Sequence, residues 1–456
     1  MDYSAANVDL WNFIIQIGII CATLLVANIL CKKVPFLSKS LMPTAVVGGF
    51  LLLILKLIGL VPLDLNFLEI ITYHCIAIGF IALSLRVPEK STEEKGSLTG
   101  LKSGAVIVGS YMIQGISGLV ITLLLGLTVM PNLFKAAGIL LPMGFGQGPG
   151  QANNIGSSYE SMGFAGGRSF GLAIAAAGYL CACIIGVIYI NYLVKKGKIK
   201  PIDQEQMLRD ETIDTFQSSD EIPIAESVDR LSVQVGLVFV VYLVTYLFTW
   251  GITSALTAYA PGLAKMLNSL LWGFNFIIGS GLAIALRSGL KGLRDVKVIE
   301  KQYQNNYLLS RISGLSFDLM IVAGIASIEI EDLSGLWLPF ILLVIAGAVT
   351  TFLHLRYVCK KVYPDYYYEG FVSMYGMMTG TISSGVLLLR ELDPQLKTPA
   401  SNNLVLGSSF GILFGIPLLV LVSLAPKSTL MAVITLGLLV VYYFILLGVI
   451  NIKKNS

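Results

Sequence analysis

The sequence Gly-Phe-Gly-Gln-Gly-Pro-Gly-Gln, at residues 144–151, lies between strongly hydrophobic segments. Inside a helix, glycine costs about 1 kcal/mol and proline about 3 kcal/mol relative to alanine, so this stretch cannot continue the apolar helix that leads into it. Its backbone N–H and C=O groups therefore need other partners. Because lipid offers none, such a break is tolerated at membrane depth only where it is buried in protein or lines a watery cavity.

The composition of the chain indicates that this break lies in a membrane protein. Of the 456 residues, 55% are hydrophobic and 13% are charged, whereas about 25% of the residues of a soluble protein are charged. Apolar segments long enough to span a bilayer, about 20 residues each, occur about eleven times. They are residues 10–31, 44–61, 67–85, 104–129, 167–193, 231–256, 267–286, 312–330, 336–357, 403–424 and 429–452. The sequence therefore predicts an all-α polytopic membrane protein.

The positions of the basic residues predict the orientation of these spans. Lysine and arginine collect in short cytoplasmic loops, and this holds here if the N-terminus is outside and the C-terminus is cytoplasmic. Of the 31 lysine and arginine residues, the exceptions in that arrangement are Lys56, Lys135, Arg168, Lys265 and Lys427. The net charge of +4 therefore reflects membrane topology and gives no indication of nucleic-acid binding.

The order of elements in the first half of the chain returns in the second half. A polar segment at residues 195–230 separates the halves. Five spans per half is an odd number, so the second copy must enter the membrane upside down, as in inverted-topology repeats. We predict repeats at 1–194 and 231–424, joined by a cytoplasmic linker at 195–230 and followed by an accessory span at 425–456.

Each repeat contains one interrupted segment that is too short to cross. Residues 133–141 are apolar, but about nine residues of helix extend only about 14 Å. In the second half, residues 376–385 read Gly-Met-Met-Thr-Gly-Thr-Ile-Ser-Ser-Gly. We predict re-entrant hairpins over 133–160 and 366–392, with tips that meet near the membrane midplane.

The two tips carry groups that suit an anion and Na+. The N-terminus of a half-helix presents N–H groups with a partial positive charge, which suits a carboxylate, while unwound carbonyls and side-chain oxygens suit Na+. The candidate binding residues are Gly144, Gly146, Gln147, Gly148, Gly150, Gln151, Asn153 and Asn154 at the first tip, and Thr379, Gly380, Thr381, Ser383 and Ser384 at the second. Close helix packing through small residues is the alternative interpretation.

Asp318 is a further candidate because it lies in the middle of a predicted span. An ionisable group there costs at least about 2.5 kcal/mol. It can bind Na+, bind a substrate amine or relay a proton, or it can simply hydrogen-bond to serine or threonine on a neighbouring helix. His74 and His354 are lone imidazoles, so we predict no catalytic metal site.

The motifs exclude several classes of function. The chain lacks the phosphate-binding loop of ATP-driven proteins and the zinc motif His-Glu-x-x-His, and it shows no nucleophile–base pair. A channel usually repeats one filter in symmetric copies, whereas the two tips are chemically dissimilar. The sequence therefore favours a secondary transporter driven by an ion gradient over a channel or an intramembrane enzyme, and it predicts no cofactor.

Four segments of the chain resemble the sodium/glutamate symporter family. They are residues 42–49, Met-Pro-Thr-Ala-Val-Val-Gly-Gly; 78–82, Ile-Gly-Phe-Ile-Ala; 144–152; and 375–385. The resemblance implies Na+-coupled uptake of glutamate across the inner (cytoplasmic) membrane of a bacterium. It also implies two inverted five-helix repeats, a homodimer, and a transport domain that moves against a scaffold in elevator fashion.

The tips also differ from those of the family. Phe145 and Gln147 occupy a region where family members that carry glutamate usually have a histidine, and Met377 and Met378 replace glycine. The expected cargo is therefore glutamate or a related amino or dicarboxylic acid, a small anionic organic substrate. The alternative is a Na+- or H+-coupled carrier of hydroxy-dicarboxylates or tricarboxylates, which looks like a distant relative of similar architecture.

Overall fold

The computed structural model describes residues 4, 7–40, 42–87, 96–199, 230–261, 264, 268, 271–273, 275–299, 301–393 and 398–452. Within these ranges every secondary-structure element is a helix, which confirms the predicted all-α class. The α-helices are α1 (Val8–Lys33), α2 (Pro35–Ser40), α3 (Thr44–Leu57), α4 (Leu65–Leu85), α5 (Gly96–Leu127), α6 (Pro149–Glu160), α7 (Gly167–Lys195), α8 (Arg230–Tyr259), α9 (Asn275–Asp295), α10 (Asn306–Ala326), α11 (Trp337–Val362), α12 (Tyr367–Thr379), α13 (Ile382–Arg390), α14 (Ala400–Leu424) and α15 (Thr429–Ile450). Most of the predicted linker, residues 200–229, lies outside the described residues.

Ten helices in the described part of the chain are long and apolar enough to cross a membrane. They are α1, α4, α5, α7, α8, α9, α10, α11, α14 and α15. This number is one fewer than the sequence predicts. The missing span is the one at 44–61, where α3 has 14 residues and ends at Leu57. A helix of that length extends about 21 Å, which is shorter than the roughly 30 Å hydrocarbon core. Beyond it Gly59 has a φ of 70°, a left-handed conformation that is common where helices end.

The span predicted at 312–330 begins and ends earlier in the structure, at Asn306 and Ala326. The cause lies at its N-terminus, where Oδ1 of Asn305 accepts a hydrogen bond of 2.8 Å from the Leu308 N–H. Such an N-cap supplies an acceptor for a first-turn N–H group. The polar sequence before the apolar run is therefore part of the helix.

The chain forms two compact units. The first unit comprises Met1–Thr72, Lys95–Ile202 and Ile321–Ser456, and the second comprises Tyr73–Glu94 and Asp203–Met320. Helices α4 and α10 contribute residues to both. Each half of the sequence therefore supplies part of each unit.

Helix α5 is the centre of the first unit and packs against α11, α14 and α15. Glycines permit the close approach of α14, since a methyl group built at Gly104 would lie 2.5 Å from Cβ of Phe410. The predicted accessory span is α15. It buries Leu439, and its Tyr442 hydroxyl donates a 2.7 Å hydrogen bond to the Phe414 carbonyl in α14. The last helix is therefore packed into the first unit.

A buried arginine at the start of α7 connects several elements of the same unit. Arg168 forms ion pairs with Glu69 in α4 and, at 3.9 Å, with Glu329. Its backbone N–H also donates a 3.0 Å hydrogen bond to Oε1 of Glu160, the last residue of α6. Because removing one partner of a buried pair leaves an uncompensated charge, this cluster fixes the ends of α6 and α7.

The second unit is built from α8, α9, most of α10 and the C-terminal part of α4. Its core consists of the apolar residues Ile81, Ala82, Leu85, Val238, Val241, Ala283 and Leu309. Arg287 of α9 donates hydrogen bonds to the carbonyls of Ser84 (3.1 Å) and Arg86 (2.8 Å). Basic side chains at such a position satisfy the last carbonyls of a helix, so α9 holds the C-terminus of α4.

Gly118→Ala should destabilise the first unit. A methyl group at Gly118 of α5 would overlap the carbonyl oxygen of Gly138 in the segment before α6, and overpacking of this kind costs about 1–3 kcal/mol. We expect a clearly lower melting temperature of the detergent-solubilised protein. The matched control is Gly437→Ala in α15, where nothing lies within 4 Å of the added methyl group. Equal melting temperatures for the two variants would contradict the close approach of these backbones.

Candidate functional site

The first interruption follows α5 and precedes α7. A 3-10 helix, Lys135–Ile139, leads into one wide π-helical turn, Pro142–Gly146. Gly148 then has a φ of 83°, a conformation that glycine adopts without steric cost. Helix α6 begins at the next residue, Pro149, whose missing N–H suits the first position of a helix.

The beginning and the end of this interrupted segment lie side by side. The ring centroid of Phe134 is 5.3 Å from that of Tyr159, near the end of α6. It is also stacked on Phe164, at a centroid distance of 5.0 Å. Between these ends α6 packs closely on α7, because a methyl group at Gly156 would lie 2.6 Å from Cα of Arg168.

The second interruption separates α12 from α13. Gly380 has φ −140° and ψ −110°, and Thr381, with φ −139° and ψ 176°, directly precedes α13. The two helices pack on each other through glycine, since a methyl group at Gly376 would lie 2.9 Å from Cα of Gly385. The break is therefore short, and the helices on either side of it are neighbours.

The two interruptions meet, although they lie far apart in the sequence. A methyl group built at Gly148 would lie 3.5 Å from Cγ2 of Thr381 and 3.9 Å from the Gly380 carbonyl oxygen. One built at Gly178 in α7 would overlap the carbonyl oxygen of Thr379. Small residues at these positions thus bring both breaks and α7 into direct contact.

Two helix N-termini lie at this meeting point, those of α6 and α13. Neither is capped by a side chain, and neither has an acidic residue in its first turn. The N–H groups of a first turn have no acceptor within their own helix, and the helix dipole places a partial positive charge there. The meeting point can therefore stabilise an anion.

Buried polar atoms without a hydrogen-bond partner are concentrated at and beside the breaks, within the described residues. Gln151, Asn153 and Ser384 are exposed by only 1%, 5% and 2%. The unpartnered atoms are Nε2 and Oε1 of Gln151, Oδ1 of Asn153, Oγ1 of Thr381, Oγ of Ser384, Oη of Tyr375 and Oε1 of Gln114. Because more than about 90% of buried polar groups in folded proteins are paired, this concentration indicates a site for a polar ligand.

Gln114 is a part of this region that the sequence analysis missed. From α5, its Nε2 donates hydrogen bonds to Oγ1 of Thr351 (2.9 Å) and to the carbonyl oxygen of Met378 (2.8 Å). Its Oε1 lies 3.0 Å from the position of a methyl group built at Gly146. The signal was a lone amide in a long apolar span, the kind of residue that marks function in membranes. Gln114 connects α5 and α11 to the end of α12.

The other predicted residues of the first tip occupy different environments. A methyl group at Gly144 would lie 2.7 Å from Cγ2 of Ile174, and one at Gly146 would overlap the ring of Tyr111. The contacts of these two glycines are thus those of close helix packing. Gly150 is buried in the first turn of α6, whereas Gln147 and Asn154 are half-buried.

At the second tip, Thr379 differs from its neighbours. Its hydroxyl donates a 2.8 Å hydrogen bond to the Tyr375 carbonyl within α12, whereas those of Thr381 and Ser384 have no partner in the described part of the chain. Ser383 lies in α13, but its side chain is outside the described residues.

Asp318 belongs to the second compact unit, in α10, whereas both tips belong to the first. It is half-buried. Among the described residues its carboxylate makes no hydrogen bond or ion pair within 4 Å.

Phe145 and Met378, which we predict to differ from the family pattern, are packed inside the first unit. Phe145 is fully buried, and its ring lies 2.9 Å from a methyl group built at Gly347. Met378 is also fully buried. These two side chains therefore fill space between helices, whereas Gln147 is partly accessible.

The family model described as sodium/glutamate symporter matches residues 11–377 of this chain. No curated protein matches this chain. The matched range includes the first interruption and ends at Met377, the second residue of the predicted second tip. Because the match covers most of the chain and its described helices include ten potential spans, this is a multi-pass membrane protein of the sodium/glutamate symporter family.

Proposed function

We propose that the protein is a secondary active transporter that couples Na+ entry to uptake of glutamate, or a related amino or dicarboxylic acid, across the cytoplasmic membrane. The observation that carries the proposal is the contact between the two interruptions at Gly148 and Thr381. Uncapped helix N-termini and buried unpartnered polar atoms surround it. Na+ is the coupling ion and the proposal requires no cofactor.

The anionic substrate binds at the N-termini of α6 and α13. Backbone N–H groups there donate hydrogen bonds to a carboxylate in the way that helix N-termini bind anions elsewhere. Gln151 and Asn153 lie in the first two turns of α6 and supply amide groups for the polar parts of the substrate. A dicarboxylic or amino acid needs several such contacts at once, because a carboxylate buried without partners is very costly.

Na+ binds to oxygen atoms beside the carboxylate. Oγ1 of Thr381 and Oγ of Ser384 lack partners within the described residues, and unwound backbone such as that at Gly380 supplies carbonyl oxygens for Na+ in transporters. The predicted tip residues are all uncharged, so each bound ion compensates the charge of the other. This coupling is reciprocal, because substrate raises the affinity for Na+ by the same factor as Na+ raises that for substrate.

The architecture proposed with this function consists of two inverted repeats, at 1–194 and 231–424, each with a re-entrant hairpin. The adjacency of Phe134 and Tyr159 supports the first hairpin. The distribution of lysine and arginine supports an outer N-terminus and a cytoplasmic C-terminus. A homodimer in which a transport domain moves against a scaffold in elevator fashion follows from the family alone.

A second candidate cargo is a hydroxy-dicarboxylate or tricarboxylate, with Na+ or H+ as the coupling ion. Gln147 favours it, because this half-buried amide occupies a region where glutamate carriers of the family usually have a histidine. An amide group can donate to a carboxylate and can both donate to and accept from a hydroxyl group.

Uptake by proteoliposomes tests both candidates. Radiolabelled L-glutamate should accumulate when a Na+ gradient is imposed, and it should not accumulate with K+ or a proton gradient alone. If malate or citrate displaces the radiolabelled glutamate and aspartate does not, the second cargo is assigned instead. Absence of uptake and of ligand-induced thermal stabilisation for all of these acids would contradict the proposed function.

Asn153→Ala should weaken substrate binding without unfolding the protein. The variant removes a buried amide whose oxygen has no partner among the described residues and can accept from the ammonium group of an amino acid, and loss of a hydrogen bond to a charged ligand costs about 1.5–3 kcal/mol. We expect a KM at least tenfold higher in the uptake assay. Asn402→Ala, which changes an exposed asparagine in α14, is the matched control. An unchanged KM for Asn153→Ala would favour the packing interpretation of the first tip.

Ser384→Ala should weaken the dependence of uptake on Na+. The Ser384 hydroxyl is buried and unpartnered within the described residues, so its loss removes an ion ligand without breaking a bond inside the protein. We expect the Na+ concentration for half-maximal uptake to rise severalfold. Thr379→Val is the control, since its hydroxyl is already engaged within α12. If both variants change Na+ activation equally, Ser384 is not an ion ligand.

A further inference from the structure

The second compact unit contains a cavity of about 420 Å³. That volume lies within the range of roughly 300–1,000 Å³ that is usual for small-molecule sites. Its walls come from α4, α8, the start of α9 and Trp272, which precedes α9. All of its lining residues belong to this unit, so it is separate from the residues of the transport site proposed above.

The cavity is lined mainly by aromatic rings. His74 and Tyr242 form an edge-to-face pair with centroids 5.8 Å apart, and Tyr246 lies 5.6 Å from Trp272. The Tyr73 hydroxyl donates a 2.8 Å hydrogen bond to the Trp272 carbonyl, which ties α4 to the segment before α9. These pairs form a preformed apolar wall, because aromatic pairs at such distances are mutually stabilising.

Two polar side chains that line the cavity lack a partner among the described residues. Thr249 is fully buried and Asn275 is 4% exposed, yet Oγ1 of Thr249 and Oδ1 of Asn275 make no hydrogen bond. The other amide atom of Asn275, Nδ2, donates to the Tyr242 hydroxyl at 3.4 Å. Since leaving a buried acceptor unsatisfied costs about 1–3 kcal/mol, a ligand with a hydrogen-bond donor at this position would be stabilised.

The lining residues also decide the charge of that ligand. Among the described residues that line it there is no aspartate, glutamate, lysine or arginine, so an ion inside the cavity would find no counter-charge on them. A quaternary ammonium group suits aromatic rings, but it has no N–H or O–H to offer Asn275. An uncharged hydroxyl group satisfies both orphan atoms, because it donates and accepts.

The mouth of the cavity indicates the source of the ligand. Phe239, Leu243 and Tyr246 of α8 line the cavity and are exposed, and α8 is one of the candidate membrane spans. An apolar opening on a membrane-spanning helix admits molecules from the lipid phase. We infer that this cavity binds an uncharged lipid-like amphiphile, with its hydroxyl head at Thr249 and Asn275 and its apolar chain along the aromatic wall.

Fluorescence of Trp272 tests this inference without any transport measurement. The chain has 4 tryptophans, so W11F, W250F and W337F together leave Trp272 as the single reporter. The purified full chain in detergent is titrated with a brominated monoacylglycerol, whose bromine atoms quench tryptophan. The comparison probe is the methyl ester of the same brominated acid, which lacks the hydroxyl groups.

We expect saturable quenching at a concentration about three- to tenfold lower for the monoacylglycerol than for the methyl ester, as one or two hydrogen bonds provide. Thr249→Val, which keeps the shape of the side chain, should remove this preference. Asn275→Leu is the second variant, and it should remove the same preference. Thr253→Val is the matched control on α8, because the Thr253 hydroxyl already donates to the Thr249 carbonyl at 2.9 Å.

Equal potency of the two probes in the parent protein, or quenching that does not saturate, would overturn the inference. So would a preference for the monoacylglycerol that survives both Thr249→Val and Asn275→Leu. Protection of Trp272 from every probe until the protein is diluted to monomers would assign the cavity to a second copy of the chain instead.

Discussion

An interrupted helix in apolar surroundings leaves backbone N–H and C=O groups without helical partners, and lipid cannot supply them. Most of the first unit is arranged around two such interruptions. Each break lies against the other and against α5 and α7, so protein atoms rather than lipid surround these backbone groups. Glycine at Gly118, Gly138 and Gly178 makes this possible, because a methyl group at any of the three would overlap a neighbouring backbone carbonyl. The contact between the breaks therefore depends on the small residues around them.

Burial alone does not give every polar group at the breaks a hydrogen-bond partner. The groups left without a partner make the breaks suitable for binding. The hydroxyl of Thr379 is satisfied within its own helix, and Gln114 uses its Nε2 to satisfy the Met378 carbonyl. The unpartnered atoms, such as those of Gln151 and Ser384, remain next to uncapped helix ends. A site of this kind favours two ions of opposite charge over either one alone, because burying a single charge is costly. That preference is the physical basis of the coupled transport that we propose.

The second unit has a different character. Its core is a conventional apolar cluster around Ile81 and Val241, and its polar contacts, such as those of Arg287, secure helix ends. The aromatic cavity departs from this pattern through the orphan atoms of Thr249 and Asn275. Unsatisfied polar atoms in an apolar region are costly wherever they occur. Their presence distinguishes this cavity from an ordinary packing gap.

The sequence by itself determined the helical class, nearly all the spans and the positions of both interruptions, because hydrophobic length and glycine and proline content act locally. It did not determine that the span at 44–61 ends at Leu57, since apolarity continues where the helix stops. It also could not distinguish Gly148, at the meeting point, from Gly144, which contacts Ile174. Only the tertiary structure decided which hydroxyls lack a hydrogen-bond partner among the described residues, and that Gln114 reaches Met378. The reason is that such partners come from helices distant in the chain.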